Sequence, residues 1–545
     1  MRQNRRHSID EPVAETPREP ATGQATVTRR EALRRLGAGV ALAGVGSLAA
    51  ACGSGTAKPS GSGKPRSPRR GGTLTAALTG GASSDSLTPF NPENPLDTAR
   101  FYQLYNQLIG LDDNAVPALE LATEVSSNPQ ATEWTIRLRD GVTFHNGKDL
   151  EAADVLYSLQ QIVNPKFPQP GALLIAALDL GGAKILDKLT LRIPTHTPFA
   201  ILQEALATGP FFFIVPADFN PHQPVGTGPF RFESFTPGVQ STFTKNPDYW
   251  EDGLPYVDKV VISDFSDESA QVNALSAGQA DLIQYLSAAS IKTVTSEGGK
   301  LLIAGGGGWT PFTMRVDQAP FSDVRVRQAM RLLIDRKEML RVLFEGYGRI
   351  GNDLYSIEDP DYDSQLPQRE QDLSEARSLL RAAGQQNLSV TLVSSPIAPG
   401  MQGAATIFKQ QAIGAGVTVN LRETPVTEFF GPNYTKWTFA QDWWTGYPYF
   451  TQVASGTLPT APYNETHFNN ARFFQLYHAG ITTTDLAKRR EIAYEMQTIE
   501  YNTGGYIIPY FYPVIDGYAK NVMGTHTAKT GQSLGNYDFK RMWFS

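Results

Sequence analysis

A single cysteine, Cys52, is found in 545 residues, so no disulfide can form within the chain and no cysteine-built zinc or iron–sulfur site can exist. Histidine is scarce as well. The seven imidazoles, at 7, 145, 196, 222, 467, 478 and 526, are scattered, with no H-E-x-x-H and no close pair. A dedicated all-protein metal site is not expected from them, which leaves room only for one His touching a metal chelate. An excess of positive charge is also missing: the net charge of -6 gives nucleic-acid binding no support. The apolar run from Leu36 to Ala51 falls short of the roughly 20 residues that span a bilayer. The glycine run 305–308 does not follow G-x-G-x-x-G and precedes no G-K-[ST], which excludes a phosphate loop. One enzyme-like spelling occurs, G-Q-S-L-G at 531–535, but no His follows it and a nucleophile elbow needs one. Carboxylates are numerous, yet none pair in sequence for acid–base work. No catalytic residue and no cofactor are expected.

What is present suits a large folded protein. Hydrophobic residues make up 41% of the chain and aromatic ones 10%, ample for several domains with sizeable cores. Residues 1–28 are polar and rich in Pro, Glu, Thr and Arg, a composition that does not fold. Next come Arg29 and Arg30, a weakly hydrophobic Gly/Ala-rich run, and small residues up to Cys52. The pattern resembles a twin-arginine export signal over 1–51, with L-A-A-A-C at 48–52 resembling a lipobox whose Leu sits one place early. Lipid attachment at Cys52 is therefore expected. Residues 52–71, rich in Gly, Ser, Pro, Lys and Arg, read as a flexible tether between a membrane anchor and a domain working in water.

Folding is expected from Gly72. The sequence predicts strands at 72–78, 134–139, 211–215 and 506–512 and helices at 101–109, 150–163 and 491–499. One further helix runs from a cap at Asp323 to Glu345, and another opens on the capping box Asp372–Glu375. Phe230 and Phe232 alternate with Arg231 and Glu233, a half-buried strand. Thr236, Pro237 and Gly238 turn the chain back, and Val260, Val261 and Ile262 form a second buried strand. His145, in L-R-D-G-V-T-F-H-N-G at 138–147, reads as a hydrogen-bonded turn residue because no acid or second His accompanies it. The loop Q-D-W-W-T-G-Y-P-Y-F at 441–450 is the densest aromatic stretch, and aromatic, Gly and Pro residues gathered on a loop favour ligand contact.

Four blocks together resemble the family 5 extracytoplasmic solute-binding proteins, the peptide and nickel receptors of ABC importers. They are V-G-T-G-P-F-R-F at 225–232 with N-P-D-Y-W at 246–250, the 138–147 segment with A-D-V-L-Y at 153–157, the G-Q-A-D element at 278–281, and P-F-S-D-V-R-V-R-Q-A at 320–329 with I-D-R at 334–336. The resemblance implies a two-lobed α/β fold of the large, peptide-binding type (class II). It assigns residues 72–98, 222–310 and 513–545 to one lobe, 99–221 to an extra inserted domain, and 311–512 to the second lobe. It also implies that Ser86–Phe90 line the cleft and that the block arginines hold structure through ion pairs. The expected activity is binding, not catalysis. A monomer anchored by lipid outside the cytoplasmic membrane captures a peptide or peptide-like solute and passes it to an ABC permease driven by a separate ATPase. A nickel chelate or an oligosaccharide, or a signalling role without transport, is the alternative. Peptide-binding relatives place an Asp in a W-x-x-D-Y loop for the peptide amine. Here Gly446 holds that place, with Asp442 close by as a substitute. The ligand contacts expected are Trp309, Phe312, Arg315, Asp442, Trp443, Trp444 and Tyr447.

Overall fold

A computed structural model describes residues 67–167 and 169–545. The signal-like segment, Cys52 and most of the tether lie outside the described residues. The first lobe is built on a seven-stranded sheet in the order Lys300–Ala304, Val514–Tyr518, Leu282–Ile283, Thr73–Thr79, Lys259–Phe265, Gln240–Lys245, Phe230–Thr236. Thr73–Thr79 runs parallel to Lys259–Phe265, with Leu74 opposite Val260 and Ala76 opposite Ile262. These apolar side chains are fully buried, which fixes the register, since a one-residue slip would turn the whole set outward.

The G-T-G of the first block is a close-packing device. A Cβ on Gly226 would lie 2.0 Å from the Leu104 carbonyl oxygen, and one on Gly228 2.4 Å from that of Gln103. Only glycine lets this segment press on the end of the helix Pro95–Leu104, where the Gly228 amide donates to Leu104 O at 3.0 Å. His145 clamps the same segment. Its Nδ1 accepts the Gly226 amide at 3.2 Å, so the neutral ring carries its proton on Nε2, 3.0 Å from Gly228 O. Burial pulls its pKa down to about 4, in keeping with a structural imidazole held neutral.

Between the 104 and 225 ends of the first lobe lies an inserted unit with its own four-stranded sheet: Ala122–Ser127, Glu133–Leu138, Thr190–Pro194, Lys184–Asp187. Its helix Ala152–Ile162 opens on a capping box between Glu151 and Asp154. The expected strand at 211–215 is buried but forms only one bridge, Phe213 with Gln107, because Pro210 and Pro216 bracket it and no long partner runs alongside.

The second lobe carries a five-stranded sheet in the order Thr418–Glu423, Ser389–Ser394, Phe439–Gln441, Phe312–Met314, Tyr506–Ile507. The helix expected over 323–345 is two helices, Val324–Leu332 and Arg336–Phe344, because Asp335 caps a second start by accepting the Glu338 amide at 2.9 Å. The block arginines largely form the expected ion pairs: Arg325 meets Asp323 at 2.5 Å and Arg331 reaches Asp353 at 3.9 Å. Arg336 pairs with Asp353 at 2.7 Å. Arg327 and Arg331 also donate to carbonyls at the end of the helix Leu486–Thr503, Arg327 to Thr503 O at 2.6 Å and Arg331 to Gly504 O at 2.7 Å. Those carbonyls have no intrahelical partner, and a guanidinium satisfies them.

The chain crosses between the lobes at 304–312 and again at 507–514. The expected strand 506–512 divides at Pro509: Tyr506–Ile507 stays in the second-lobe sheet, while Tyr510–Phe511 pairs with Arg349–Ile350. The Tyr512 amide donates to Gly308 O at 3.0 Å, tying the two crossings together.

Candidate functional site

A cleft of about 2420 Å³ lies where the two lobes and the inserted unit meet. One wall belongs to the second lobe. The chain leaving the strand Phe439–Gln441 stays bonded to the first crossing, since Trp444 and Trp309 exchange amide–carbonyl bonds of 2.9 and 3.0 Å. Trp443 is left 40% exposed on the cleft side. Trp444, Thr445, Gly446 and Tyr447 line the cleft beside it, joined by Phe430, Tyr434 and Tyr463. The Tyr463 ring meets Trp444 edge-on at 6.0 Å.

Behind this wall the rings form a column. Trp444 stacks on Trp309 at 5.8 Å, Trp309 on Tyr355 at 5.7 Å, and Tyr355 on Tyr449 at 5.5 Å. Acids fasten its ends. Glu465 accepts Trp444 Nε1 at 3.0 Å and the Tyr506 hydroxyl, and Glu500 accepts the hydroxyls of Tyr449, at 2.8 Å, and Tyr355. Burial pushes the Glu500 carboxyl up to about 7. Asp442 is buried too, its Oδ1 accepting the Trp443 amide at 2.8 Å.

The opposite wall comes from the first lobe and the inserted unit: Tyr102, Asn106, Glu120, Arg139, Trp250, Tyr285, Tyr537 and Lys540. Arg139 lies over the Trp250 ring at 4.7 Å, and Lys540 pairs with Glu251 at 2.5 Å. Burial raises the Glu120 carboxyl, a shift partly offset by Lys540. Asn91–Pro95 line the cleft where Ser86–Phe90 were expected. Ser86–Phe90 turn back toward the core, with Leu87 and Phe90 buried and Leu87 O accepting the Tyr105 hydroxyl at 2.7 Å.

Of the residues expected from sequence, Trp443, Trp444 and Tyr447 come together on the cleft. Trp309 does not reach it: it is fully buried behind Trp444 and acts on the site by supporting that ring. Phe312 is a core residue, because its strand position turns it to the sheet face where Phe408 packs at 4.7 Å. Arg315 does not face the cleft either. Asp317, two residues on, takes the guanidinium with both oxygens, at 2.8 and 2.7 Å, and a third nitrogen points to Thr435 O at 3.4 Å. His467 Nε2 meets the same carbonyl at 2.9 Å, so the pair steadies the cleft-lining segment 434–436. Asp442 sits just behind the lining. Sequence reasoning missed Tyr434 and Tyr463 because single tyrosines in Pro- and Asn-containing loops carry no periodicity. It read Trp250 as a fold signature, and Trp250 lines the cleft as well.

The elbow-like spelling can also be placed. Ser533, the serine of the elbow-like spelling, is buried and donates to Asp516 at 2.6 Å, a capping contact with no imidazole in it. Among the described residues no group of three His, Cys, Asp or Glu side chains is arranged to hold a metal ion.

Comparison with known proteins adds the following. Residues 116–470 match the family described as bacterial extracellular solute-binding proteins, family 5. The chain is 26% identical over 455 residues to the glutathione-binding protein GsiB of Pectobacterium atrosepticum, covering 77% of this chain and 85% of that protein. Against GsiB of Salmonella typhimurium it is 25% identical over 491 residues, covering 84% and 93%. Among solved structures, the substrate-binding protein CtaP of Listeria monocytogenes aligns with a TM-score of 0.76 at 19% identity, over 87% of this chain and 100% of that one. The oligopeptide-binding protein AppA of Bacillus subtilis, solved with a nonapeptide, aligns with a TM-score of 0.71 at 19% identity, covering 88% and 100%. NikZ of Campylobacter jejuni, solved with Ni(L-His), aligns at 0.72 and 17% identity, covering 86% and 99%.

Proposed function

The chain belongs to the family 5 bacterial extracellular solute-binding proteins, and from that premise we propose that its cleft captures a peptide or peptide-like solute. As the substrate-binding component of an ABC importer it works with a membrane permease. The observation that carries the ligand reading is the cleft itself. Its volume of about 2420 Å³ exceeds the roughly 300–1,000 Å³ of ordinary small-molecule pockets and leaves room for a solute of several residues. Aromatic faces on one wall and amide, carboxyl and guanidinium groups on the other suit a chain of alternating apolar and polar parts. A solute touching both walls favours the closed arrangement by the contacts that only closure completes.

The N-terminal pattern supports export and lipid attachment at Cys52, with the folded part working as a monomer outside the cytoplasmic membrane. Replacing Cys52 by Ser should move the protein from the membrane fraction to the soluble one, and retention would count against the anchor. The ligand is tested by a thermal-shift screen against di- to pentapeptides, sugars and nickel–histidine. A ligand at a hundred times its dissociation constant adds about 2.7 kcal/mol. Peptides raising the melting temperature is the expected result. A shift with sugars or the nickel chelate alone would replace the peptide reading.

A further inference from the structure

We propose that Asp516 is a positioning residue for ligand capture: its carboxylate holds the left-handed turn 534–537 and Tyr285, two pieces of the first-lobe wall, in the places where a solute meets them. This rests on the solute-binding reading of the cleft and adds to it a residue outside the expected contacts.

The turn is unfavourable on its own. Leu534, Gly535, Asn536 and Tyr537 follow one another with φ of 51°, 62°, 64° and 54°. Three of the four carry a Cβ, which in this region crowds the following carbonyl, so residues other than glycine enter it singly and not in runs. Strained backbone of this kind persists only where its surroundings over-determine it, and it gathers at ligand clamps.

Side chains grip the turn from beneath. Asp516 Oδ2 accepts the Leu534 amide and Oδ1 the Ser533 hydroxyl, both at 2.6 Å. Gln103 donates to Tyr537 O at 3.0 Å, and the Tyr537 hydroxyl donates to Gln284 at 3.0 Å. Asp516 also reaches a second segment of wall: Oδ1 accepts the Tyr285 amide at 3.1 Å, and Tyr285 itself stands at φ 51°.

What is held faces the solute. Tyr285, Gln532, Gly535, Asn536 and Tyr537 line the cleft. The start of the turn also touches the hinge, since a Cβ on Gly531 would lie 3.3 Å from the Gly307 amide nitrogen in the first crossing. Asp516 is 2% exposed and lies two residues past the second crossing, on the strand Val514–Tyr518. It touches no solute and acts through the turn and Tyr285.

Three donors converge on this carboxylate, and no Lys, Arg or His pairs with it among the described residues. The titratable groups facing it are Tyr285 and Tyr537, phenols that burial keeps neutral, and its neighbour on the adjacent strand is Leu302. His526 lies against the turn at Gly535, where a Cβ would come 3.0 Å from its Nε2, and that nitrogen meets Asp113 at 3.2 Å. Burial pushes the Asp516 carboxyl up to about 6, a rise that its three donors limit. A protonated Asp516 brings an O–H of its own into a site of donors, so the grip on the turn weakens as pH falls through about 6. The sign for folding is the opposite. A raised acid favours the folded chain at low pH and does so less as pH rises through the folded value, so binding lost at pH 5 through this group is not lost by unfolding.

The experiment pairs calorimetry with hydrogen exchange, on the full chain at pH 5 and pH 7. The binding probes are tetra-alanine and glutathione. With the ionised form alone competent, binding should be about tenfold weaker at pH 5. The amides of 534–538, with the intrinsic rate divided out, should lose about tenfold in protection at pH 5 without any ligand. Asp516→Asn keeps the shape but sets an N–H against one of the donors, so it should weaken binding about tenfold at pH 7 and remove its pH dependence. Ser533→Ala leaves the carboxylate and removes one donor, so the midpoint of binding should move to higher pH. A contact that only packs the turn would leave that midpoint in place, and this variant decides the matter if Asp516→Asn does not fold. Equal binding at the two pH values, a pH dependence that survives in folded Asp516→Asn, or unchanged exchange over 534–538 overturns the proposal and leaves peptide capture standing. Silence from both probes removes the peptide reading. Hydrogen exchange alone then decides, with protection lost at pH 5 supporting the hold on the turn and equal protection overturning it.

Discussion

Trp443 and Phe312 are both aromatic side chains of one lobe, and truncation should separate them. Trp443 presents its ring to the cleft, so Trp443→Ala should weaken ligand binding tenfold or more, about 1.4 kcal/mol, with little change in melting temperature. Phe312 lies in the core between Phe408 and Phe439, so Phe312→Ala should cost about 3–5 kcal/mol of stability. Paired calorimetry and thermal melts check both, and a loss of binding confined to Phe312→Ala would reverse the assignment. Gly446 holds the place that the family resemblance gives to Asp, and the room there is tight. A Cβ at 446 would lie 3.1 Å from the Gly307 Cα, in the first crossing. Any side chain at 446 would require the hinge backbone to give by a few tenths of an ångström.

At the scale of elements, the aromatic column ties pH to stability. The Glu500 carboxyl stands at about 7, above its ordinary value of 4.5, because burial disfavours its charge. A raised acid contributes its full stability below the unfolded value and loses it as pH rises through the folded one. The melting temperature should therefore fall between pH 5 and pH 8, and Glu500→Gln, a mimic of the protonated form, should flatten that slope. An unaltered slope would mean that other groups set it. His145, lowered to about 4, acts with the opposite sign: its share is lost as pH falls from about 6.5 toward 4. The elements themselves were readable to differing degrees. The hairpin from Phe230 and the capped starts at Asp323 and Asp372 could be read because each rests on local chemistry: alternation, a turn glycine, a side chain that accepts amides. The break at Asp335 was hidden because the apolar stripe continues across it. Arg315 misled because a charge two residues away in sequence, Asp317, answers it. Glu465 was invisible because it meets Trp444 only when the loop and the following segment pack together.

For the whole molecule the wide cleft implies two shapes. Solution scattering should show a smaller radius of gyration once a binding ligand saturates the protein, because the lobes close on it. An unchanged radius with saturated ligand would mean that one wall alone holds the solute. Trp443→Ala should need more ligand for the same compaction, since it removes contacts from one wall only.

The strand order of the first lobe has a further consequence, for biosynthesis. Val514–Tyr518 sits between Lys300–Ala304 and Leu282–Ile283, so a strand made some two hundred residues later separates two made earlier. While the ribosome is still building the second lobe, the sheet has an open slot with unpaired backbone on both sides. The slot spans some two hundred residues of chain, and closing so distant a contact is slow. The nascent protein thus stays incompletely folded until Val514–Tyr518 emerges, and a chaperone or export factor that recognises exposed strand edges has that whole interval in which to act.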